Sequence, residues 1–527
     1  MNTTITDIGK FRTDLPAAQG ESFLKVGELS TYGVEWEDCS RATSMGGMAY
    51  FGHFLQENGL FDDLVNGCPL TYASNNAPSK RRVLGTVVSG ILNGAWRYAH
   101  LSHKQGDSLC AETLGIKGGF VSEDSVRRGF KKGAHEDWDA WDAWLREAEL
   151  ASILPLLGEP YVLDLDTSVK PVYGHQEGAE IGYNPQKPGR PSQSLHVAFV
   201  GGLRLLAAVD VCGGKAHAAC HMSARVWAWV DALEPGYRPR LIRGDIGFGN
   251  EGYLSACEAR DLPHLFKLKA SPKVKKLIRQ MASMPGGQWR PAPGGWDVTE
   301  TSLQLTGWSR ERRIVLLRRP LPERKPERRK EPGWLPGLAE GGAEPEWEYV
   351  TLVCSGDIPA EALPVLYAER ADCENVLDEL KNQWGMGGFT TKDLRRCKVM
   401  ARLNALICNW WNVFARIAEP SEHMEALTSR PELLYLVATL ATHGGRKVLR
   451  FCSHHENACG VRRAFTRLHT VFSRIDSIAR QLGRRTVWTL HLSVAFYVFL
   501  KGKVLKVPPE AEKIIRELSA YIMPTTS

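Results

Sequence analysis

Tyr161-Val-Leu-Asp-Leu-Asp-Thr-Ser-Val169 reads as a β-strand carrying two aspartates. Side chains alternate along a strand, so Asp164 and Asp166 share one face. Two carboxylates on one face of an otherwise apolar strand are costly unless they meet something positive. Downstream, a loop rich in Gly, Pro, Lys and Arg spans 174–190. Residues 195–200 and 203–211 follow as two strands, split by Gly201-Gly202, a hairpin signal. A helix over 223–233 leads to a short strand, Arg240-Leu-Ile-Arg-Gly-Asp245, that ends on another aspartate. A helix over 250–260 and a strand over 264–268 complete the run. Three meandering strands followed by helix–strand–helix–strand predict a mixed α/β sheet.

Outside this block the character changes. Residues 45–150 show helical periodicity, with Trp138, Trp141 and Trp144 at three-residue spacing. Residues 269–358 hold Trp289, Trp296, Trp308, Trp334 and Trp347, and strand-like runs at 302–305, 313–317 and 348–354. The tract 320–332 is Pro, Glu, Arg and Lys and cannot build a core. From Pro359 onward the chain reads as almost entirely helical.

The 527 residues suggest three or four units, and 43% apolar with 24% charged residues is ordinary globular composition, so wholesale disorder is excluded. The net charge of +7 is unevenly placed. Residues 391–527 hold 22 Lys+Arg against 10 Asp+Glu, a balance of +12, while the remainder holds 44 against 49, a balance of −5. That asymmetry points to a polyanionic partner. MNTTITDIGKFRTDLP has no apolar stretch, so no signal peptide is expected. The apolar run 487–500 is broken by Thr489, His491 and Ser493, and no membrane partner is expected. Twelve cysteines without a CxxC pair suit a reducing compartment. Cys452, His454, His455 and Cys459 cluster, but their spacing matches no common zinc module. Walker A, HExxH and GxSxG motifs are absent.

A third acidic position lies on Tyr367-(x2)-Arg370-(x3)-Glu374-(x6)-Lys381. Offsets of 3, 7 and 14 from the tyrosine put all four on one stripe of a helix. Taken alone, such a stripe equally suits a solvated, salt-bridged face. Carboxylates from two strands and a helix can also hold two divalent ions about 3.5–4 Å apart, the arrangement that serves phosphodiester chemistry. Arg and Lys beside them can grip phosphates.

Asp166-Thr-Ser, Arg243-Gly-Asp245-Ile-Gly-Phe and the Tyr367/Arg370/Glu374/Lys381 stripe resemble the DDE transposases of bacterial insertion sequences, in the branch whose RNase H-like core is interrupted by a β-strand insertion. Val172-Tyr-Gly-His-Gln-Glu-Gly-Ala179, Gly182-Tyr-Asn-Pro185 and Lys187-Pro-Gly-Arg190-Pro-Ser are similar to a subgroup signature there. The resemblance covers roughly residues 80–500. It implies an α/β fold, an RNase H-like mixed-sheet catalytic core with an inserted β-rich subdomain, flanked by helical N- and C-terminal regions. The implied organisation is a mobile N-terminus (1–25), a helical region for DNA-end binding (26–155), the core (156–268 and 359–400), the insertion (269–358), and a basic helical C-terminal region (401–527) that is a candidate for dimerisation.

By the same resemblance, Asp166, Asp245 and Glu374 are the catalytic, metal-binding triad for two Mg2+ (or Mn2+) ions. Asp166 is favoured over Asp164 because the family places its aspartate directly before a Thr/Ser pair. Tyr367, Arg370 and Lys381 would contact DNA near the scissile bond, with Lys187 and Arg190 as further contacts. A tryptophan of the insertion would fill the space left by a flipped base in relatives that cut through a DNA hairpin; five candidates stay open. The implied partners are double-stranded DNA, as terminal inverted repeats and target, and a second copy of the chain in the DNA complex. The implied setting is cytoplasmic, at the nucleoid when DNA-bound.

Two other readings stay open. A haloacid-dehalogenase-type phosphatase would use Asp164 as nucleophile within Asp164-Leu-Asp166-Thr-Ser168, and leaves the Tyr/Arg/Glu/Lys stripe unexplained. A catalytically inactive DNA-binding relative would not need all three carboxylates.

Overall fold

The computed structural model describes residues 41–522 except 73, 185–186, 216–217, 285–287, 322–346 and 453–456, together with 23–28 and 33–37. Most of 1–25, most of the 320–332 tract, Trp334, His454 and His455 therefore lie outside the described residues.

The N-terminal part opens on strands, where helix was expected throughout 26–155. Strand β1 (Phe23–Glu28) pairs antiparallel with β2 (Gly33–Glu37), and a two-residue β3 (Ala42–Thr43) follows. The expected helices then appear as α1 (Met48–Asn58), α2 (Leu60–Gly67), α3 (Lys80–Leu92), α4 (Ser108–Thr113), α5 (Glu123–Glu136) and α6 (Trp138–Ile153). Side-chain caps start several of them: Ser79, Ser122 and Asp137 each accept from a backbone N–H of the first turn. Trp141 and Trp144 are buried, as the packing face of an amphipathic helix requires.

The central sheet has nine strands in the order β6-β5-β4-β7-β8-β12-β11-β10-β9. Strands β4 (Val162–Pro171), β5 (Ser192–Val200) and β6 (Leu205–Gly213) form the antiparallel meander. After α7 (Ala218–Asp231), β7 (Leu241–Gly244) pairs parallel to β4; after α8 (Glu251–Glu258), β8 (His264–Lys267) pairs parallel to β7. Three antiparallel strands with two parallel ones beside the first make this an RNase H-like core. Past α9 (Pro272–Ala282), the insertion continues the same sheet. Strands β9 (Arg290–Ala292), β10 (Trp296–Leu303), β11 (Arg312–Pro320) and β12 (Trp347–Cys354) form an antiparallel extension, with β12 paired to β8. Their apolar side chains build a second, smaller core with Leu241 and Leu265.

Arg312 joins this extension to the core helices. It is almost buried and donates to both Glu258 and Glu251 of α8. The arginine holds the Glu251 carboxyl down at about 2. A carboxyl lower in the folded state stabilises above its unfolded pKa, and that contribution is lost as pH falls through the folded value. Acid titration followed by near-UV circular dichroism should therefore show wild type losing stability between about pH 4.5 and 2, a limb that Glu251→Gln flattens.

Three short segments, α10 (Leu363–Ala368), a 3₁₀ turn (Glu369–Ala371) and α11 (Asp372–Asn382), return the chain to the core. The long α12 (Leu394–Ala418) is buried on nearly all sides and packs against β6 and α6. Its Arg402 is paired with Glu149 and Asp142 of α6, which ties the N-terminal helices to the core.

The C-terminal part is not wholly helical. After α13 (Ala426–Leu433), β13 (Ala438–His443) and β14 (Arg446–Phe451) form a hairpin that also pairs with β3. Gly444 and Gly445 both have positive φ, as a two-residue hairpin turn of the primed type needs. Most of the hairpin's side chains are exposed, so no buried periodicity announced it. Helices α14 (Ala458–Ala479), α15 (Arg484–Ala495) and α16 (Pro509–Ile522) complete the chain.

Candidate active site

Strand β4 points Leu163 and Leu165 into the main core and Asp164 and Asp166 to the opposite face. Both aspartates are buried, and their partners differ. Asp164 accepts two hydrogen bonds from Arg243 of β7, from Nε at 2.6 Å and Nη2 at 2.8 Å. The parallel register sets Asp164 directly opposite Arg243. The same guanidinium donates to the Leu366 carbonyl and lies 3.3 Å from Glu369, so it fastens the two strands to α10. Gly201 makes room for this pair: a Cβ there would stand 2.7 Å from the Asp164 carboxylate.

Asp166 has a different setting. Its Oδ2 is 3.0 Å from Arg370 Nη2, and its Oδ1 accepts from the Thr167 N–H at 2.8 Å. Burial pushes its carboxyl up to about 6; Arg370 opposes this, and Asp245 and Glu374 add repulsion. The three carboxylates are thus near enough to act on one another's charge.

Asp245 comes near Asp166 because β4 and β7 run parallel. Leu165 pairs with Gly244, so Asp166, midway along β4, and Asp245, just past the end of β7, are the next residues on adjacent strands. The chain then turns sharply, with Asp245 Oδ1 accepting from the Gly247 N–H at 2.9 Å. Gly244 permits the turn, since a Cβ there would meet the Phe248 ring at 2.8 Å.

Glu374 comes from the first turn of α11, which packs against β4. The stripe expected on one helix is divided by the 3₁₀ turn at Glu369–Ala371. Tyr367 is half-buried; burial pushes its phenol up to about 12, and Arg370, Asp245 and Asp166 all act on it. Lys381 Nζ donates to Ser168 Oγ at 3.0 Å, two residues past Asp166 on β4. The buried Arg370 Nε has no hydrogen-bond partner.

Residues 157–410, which contain all of these groups, match the family described as transposase DDE domain. The chain carries a transposase DDE domain. No curated protein matches the sequence. Among solved structures, it is similar to a piggyBac transposase in a synaptic complex with hairpin DNA, at 11% identity, TM-score 0.38, covering 91% of this chain and 86% of that one.

Lys187 and Arg190 of the DDE domain share one neighbour. Both attach to the exposed ring of Tyr173: Lys187 Nζ is 2.5 Å from its hydroxyl, and the Arg190 guanidinium lies 4.6 Å from the ring centre. Tyr173 also lines a cavity of about 830 Å³ with Arg97, Arg127, Arg128, Lys131, Lys392 and Arg396. The sequence reading did not single out these six cations. The signal available was Arg127-Arg128-(x2)-Lys131-Lys132 on one helix, but Arg97 and Lys392 join it only through the fold.

The insertion's tryptophans lie against arginines. Arg318 sits between Trp289 and Trp347, at 4.2 and 4.3 Å from the ring centres. Arg319 lies over Trp296 at 4.5 Å, and Arg312 over the buried Trp308 at 5.1 Å. These contacts hold the described rings in the sheet extension.

Proposed function

We propose that this DDE-domain chain is a cut-and-paste transposase, cleaving DNA strands at insertion-sequence ends and joining them to target DNA. What supports this reading is the placement of Asp166 and Asp245 one step past the paired Leu165 and Gly244 on adjacent parallel strands, with Glu374, Asp245 and Arg370 all acting on the Asp166 carboxyl. The all-oxygen donor set and the mutual repulsion of the carboxylates suit a hard divalent cation. Asp166, Asp245 and Glu374 would hold two Mg2+ or Mn2+ ions, whose chemistry is to lower the pKa of an attacking hydroxyl and stabilise the leaving oxygen. No covalent protein intermediate is needed, so water and a DNA 3′-hydroxyl can serve in turn at one site.

The chain's own residues then do the positioning. Arg370 favours the ionised form of Asp166 and offers its unpartnered Nε to a phosphate oxygen. Lys381 and Tyr367 flank the same spot for neighbouring phosphates. The basic cavity beside Tyr173, with Lys187 and Arg190 at its rim, supports a path for the duplex toward the carboxylates. The N-terminal helices would help recognise terminal inverted repeats, and two copies would bring two ends together. Among the described residues no helix is long and apolar enough to cross a membrane.

The phosphatase alternative fares poorly. It needs Asp164 free to attack, and Asp164 is buried in a two-bond clasp with Arg243. The deciding experiment incubates the protein with end-bearing and scrambled duplexes plus Mg2+ or Mn2+. End-specific nicking is expected; clear specific binding without nicking would instead favour the inactive relative. Arg370→Ala should lower the nicking rate about 10²–10³-fold, the usual loss when one donor to developing charge is removed. Unchanged rates would remove Arg370 from the site.

A further inference from the structure

A second polar cluster lies where α1 packs against α14 and α15. Helix α1 presents His53 and Glu57 one turn apart. The Glu57 side chain is 5% exposed, and its oxygens meet no hydrogen-bond donor but face the neighbouring Asp476 carboxyl. His491 of α15 is fully buried opposite it. The ring of His491 is oriented by its other nitrogen. Nδ1 lies 3.0 Å from the Val487 carbonyl and 2.9 Å from the Asn58 side-chain oxygen. Asn58 spends its amide N–H on the Phe54 carbonyl, so the atom facing His491 is an acceptor. Two acceptors around Nδ1 place the hydrogen there. Nε2 is left as a lone pair without a partner, 3.6 Å from Glu57 Oε2.

Two acceptor atoms facing each other in a dry setting repel unless something positive lies between them. A shared proton fits badly, because 3.6 Å is beyond the reach of an O–H···N bond. Two further groups close the cluster. His53 Nε2 is 3.7 Å from Glu57 Oε1 and 3.3 Å from Asp476 Oδ2 of α14. Ligand atoms of His53, Glu57 and Asp476 all lie within 4.8 Å of one another. Two ligands about 2.0–2.1 Å from a tetrahedral ion stand roughly 3.3–3.4 Å apart. The observed 3.3 and 3.7 Å from His53 to Asp476 and Glu57 are close to that spacing. Phe54 and Phe472 pack edge-on around the His491 ring and keep the surroundings apolar.

We propose that His53, Glu57 and Asp476 bind one divalent transition-metal ion of the Zn2+ type, separate from the Asp166/Asp245/Glu374 centre. An imidazole beside two carboxylates suits such an ion better than Mg2+, which prefers oxygen alone. His491 stands behind Glu57 on the buried side. The ion clamps α1 to α14, helices far apart in sequence.

The test uses the full-length protein, stripped with a chelator and titrated with Zn2+ in excess Mg2+. Bound zinc is counted per chain, and the visible absorption of the Co2+ form is recorded. One ion per chain is expected, retained in Asp166→Asn and in Cys452→Ser/Cys459→Ser, which removes the other candidate ligands. His53→Ala and Asp476→Asn, at half-exposed side chains where the fold tolerates change, should each weaken Zn2+ binding at least about 10-fold and shift the Co2+ spectrum. Absence of bound Zn2+ in the folded wild type would overturn the proposal, as would unchanged affinity in both variants or loss of the ion in Asp166→Asn.

Discussion

Asp166→Asn is expected to abolish both strand cleavage and strand transfer while leaving binding to end-bearing DNA largely intact. Asp245→Asn and Glu374→Gln should do the same. Each removes one carboxylate from the proposed metal-binding three, whose charges, with that of Arg370, act on Asp166. Cation stabilisation of transition-state charge is worth several kcal/mol, and each 1.36 kcal/mol is tenfold, so the loss is on the order of 10³-fold or more. The three effects should not add, because the groups act as one unit. The measurement is nicking and joining of labelled end DNA, beside an electrophoretic binding assay on the same preparations. Retained cleavage in any of the three would show that residue to be misassigned. The Asn and Gln replacements keep shape and remove charge, so folding is preserved. At Asp166 the loss of a buried charge beside two others relieves repulsion but leaves Arg370 without its partner.

Arg243→Ala should act on stability instead, by about 3–5 kcal/mol, the usual cost of leaving one partner of a buried ion pair uncompensated. Arg243 and Asp164 are each about 2% exposed, so water cannot replace the lost partner. The substitution also frees the Leu366 carbonyl and loosens the junction of β4, β7 and α10 that carries Asp166, Asp245 and Tyr367. Urea unfolding of the full-length variant checks the cost. Asp164→Asn provides the contrast: it should destabilise the protein, yet the folded fraction should still cleave DNA. A phosphatase with Asp164 as nucleophile would lose all activity in that variant.

The candidate site residues were legible because their signals are local. Asp164 and Asp166 stood out as carboxylates on an apolar strand, and Asp245 as one at a strand end followed by glycines. The spacing of Tyr367, Arg370, Glu374 and Lys381 was legible as a stripe, although the 3₁₀ turn at Glu369–Ala371 divides its helix. Other features depend on contacts far apart in sequence. Asp164 and Asp166 looked alike on the strand; only the parallel register with β7 gives Arg243 to one and Arg370 to the other. The hairpin of β13 and β14 escaped notice because its strands are mostly exposed and owe their pairing to a two-glycine turn and to β3.

By itself the sequence determined the mixed α/β order of elements, the acidic strand positions, and the basic bias of the last quarter. Those follow from periodicity and composition within tens of residues. Tertiary structure alone decided that the insertion extends the core sheet, that six cations from separate segments share one cavity, and that His53 and Glu57 meet Asp476 and His491. The physical reason is that hydrogen-bond registers and helix packing join residues hundreds of positions apart, and the charge of a buried group is set by the neighbour that packing supplies.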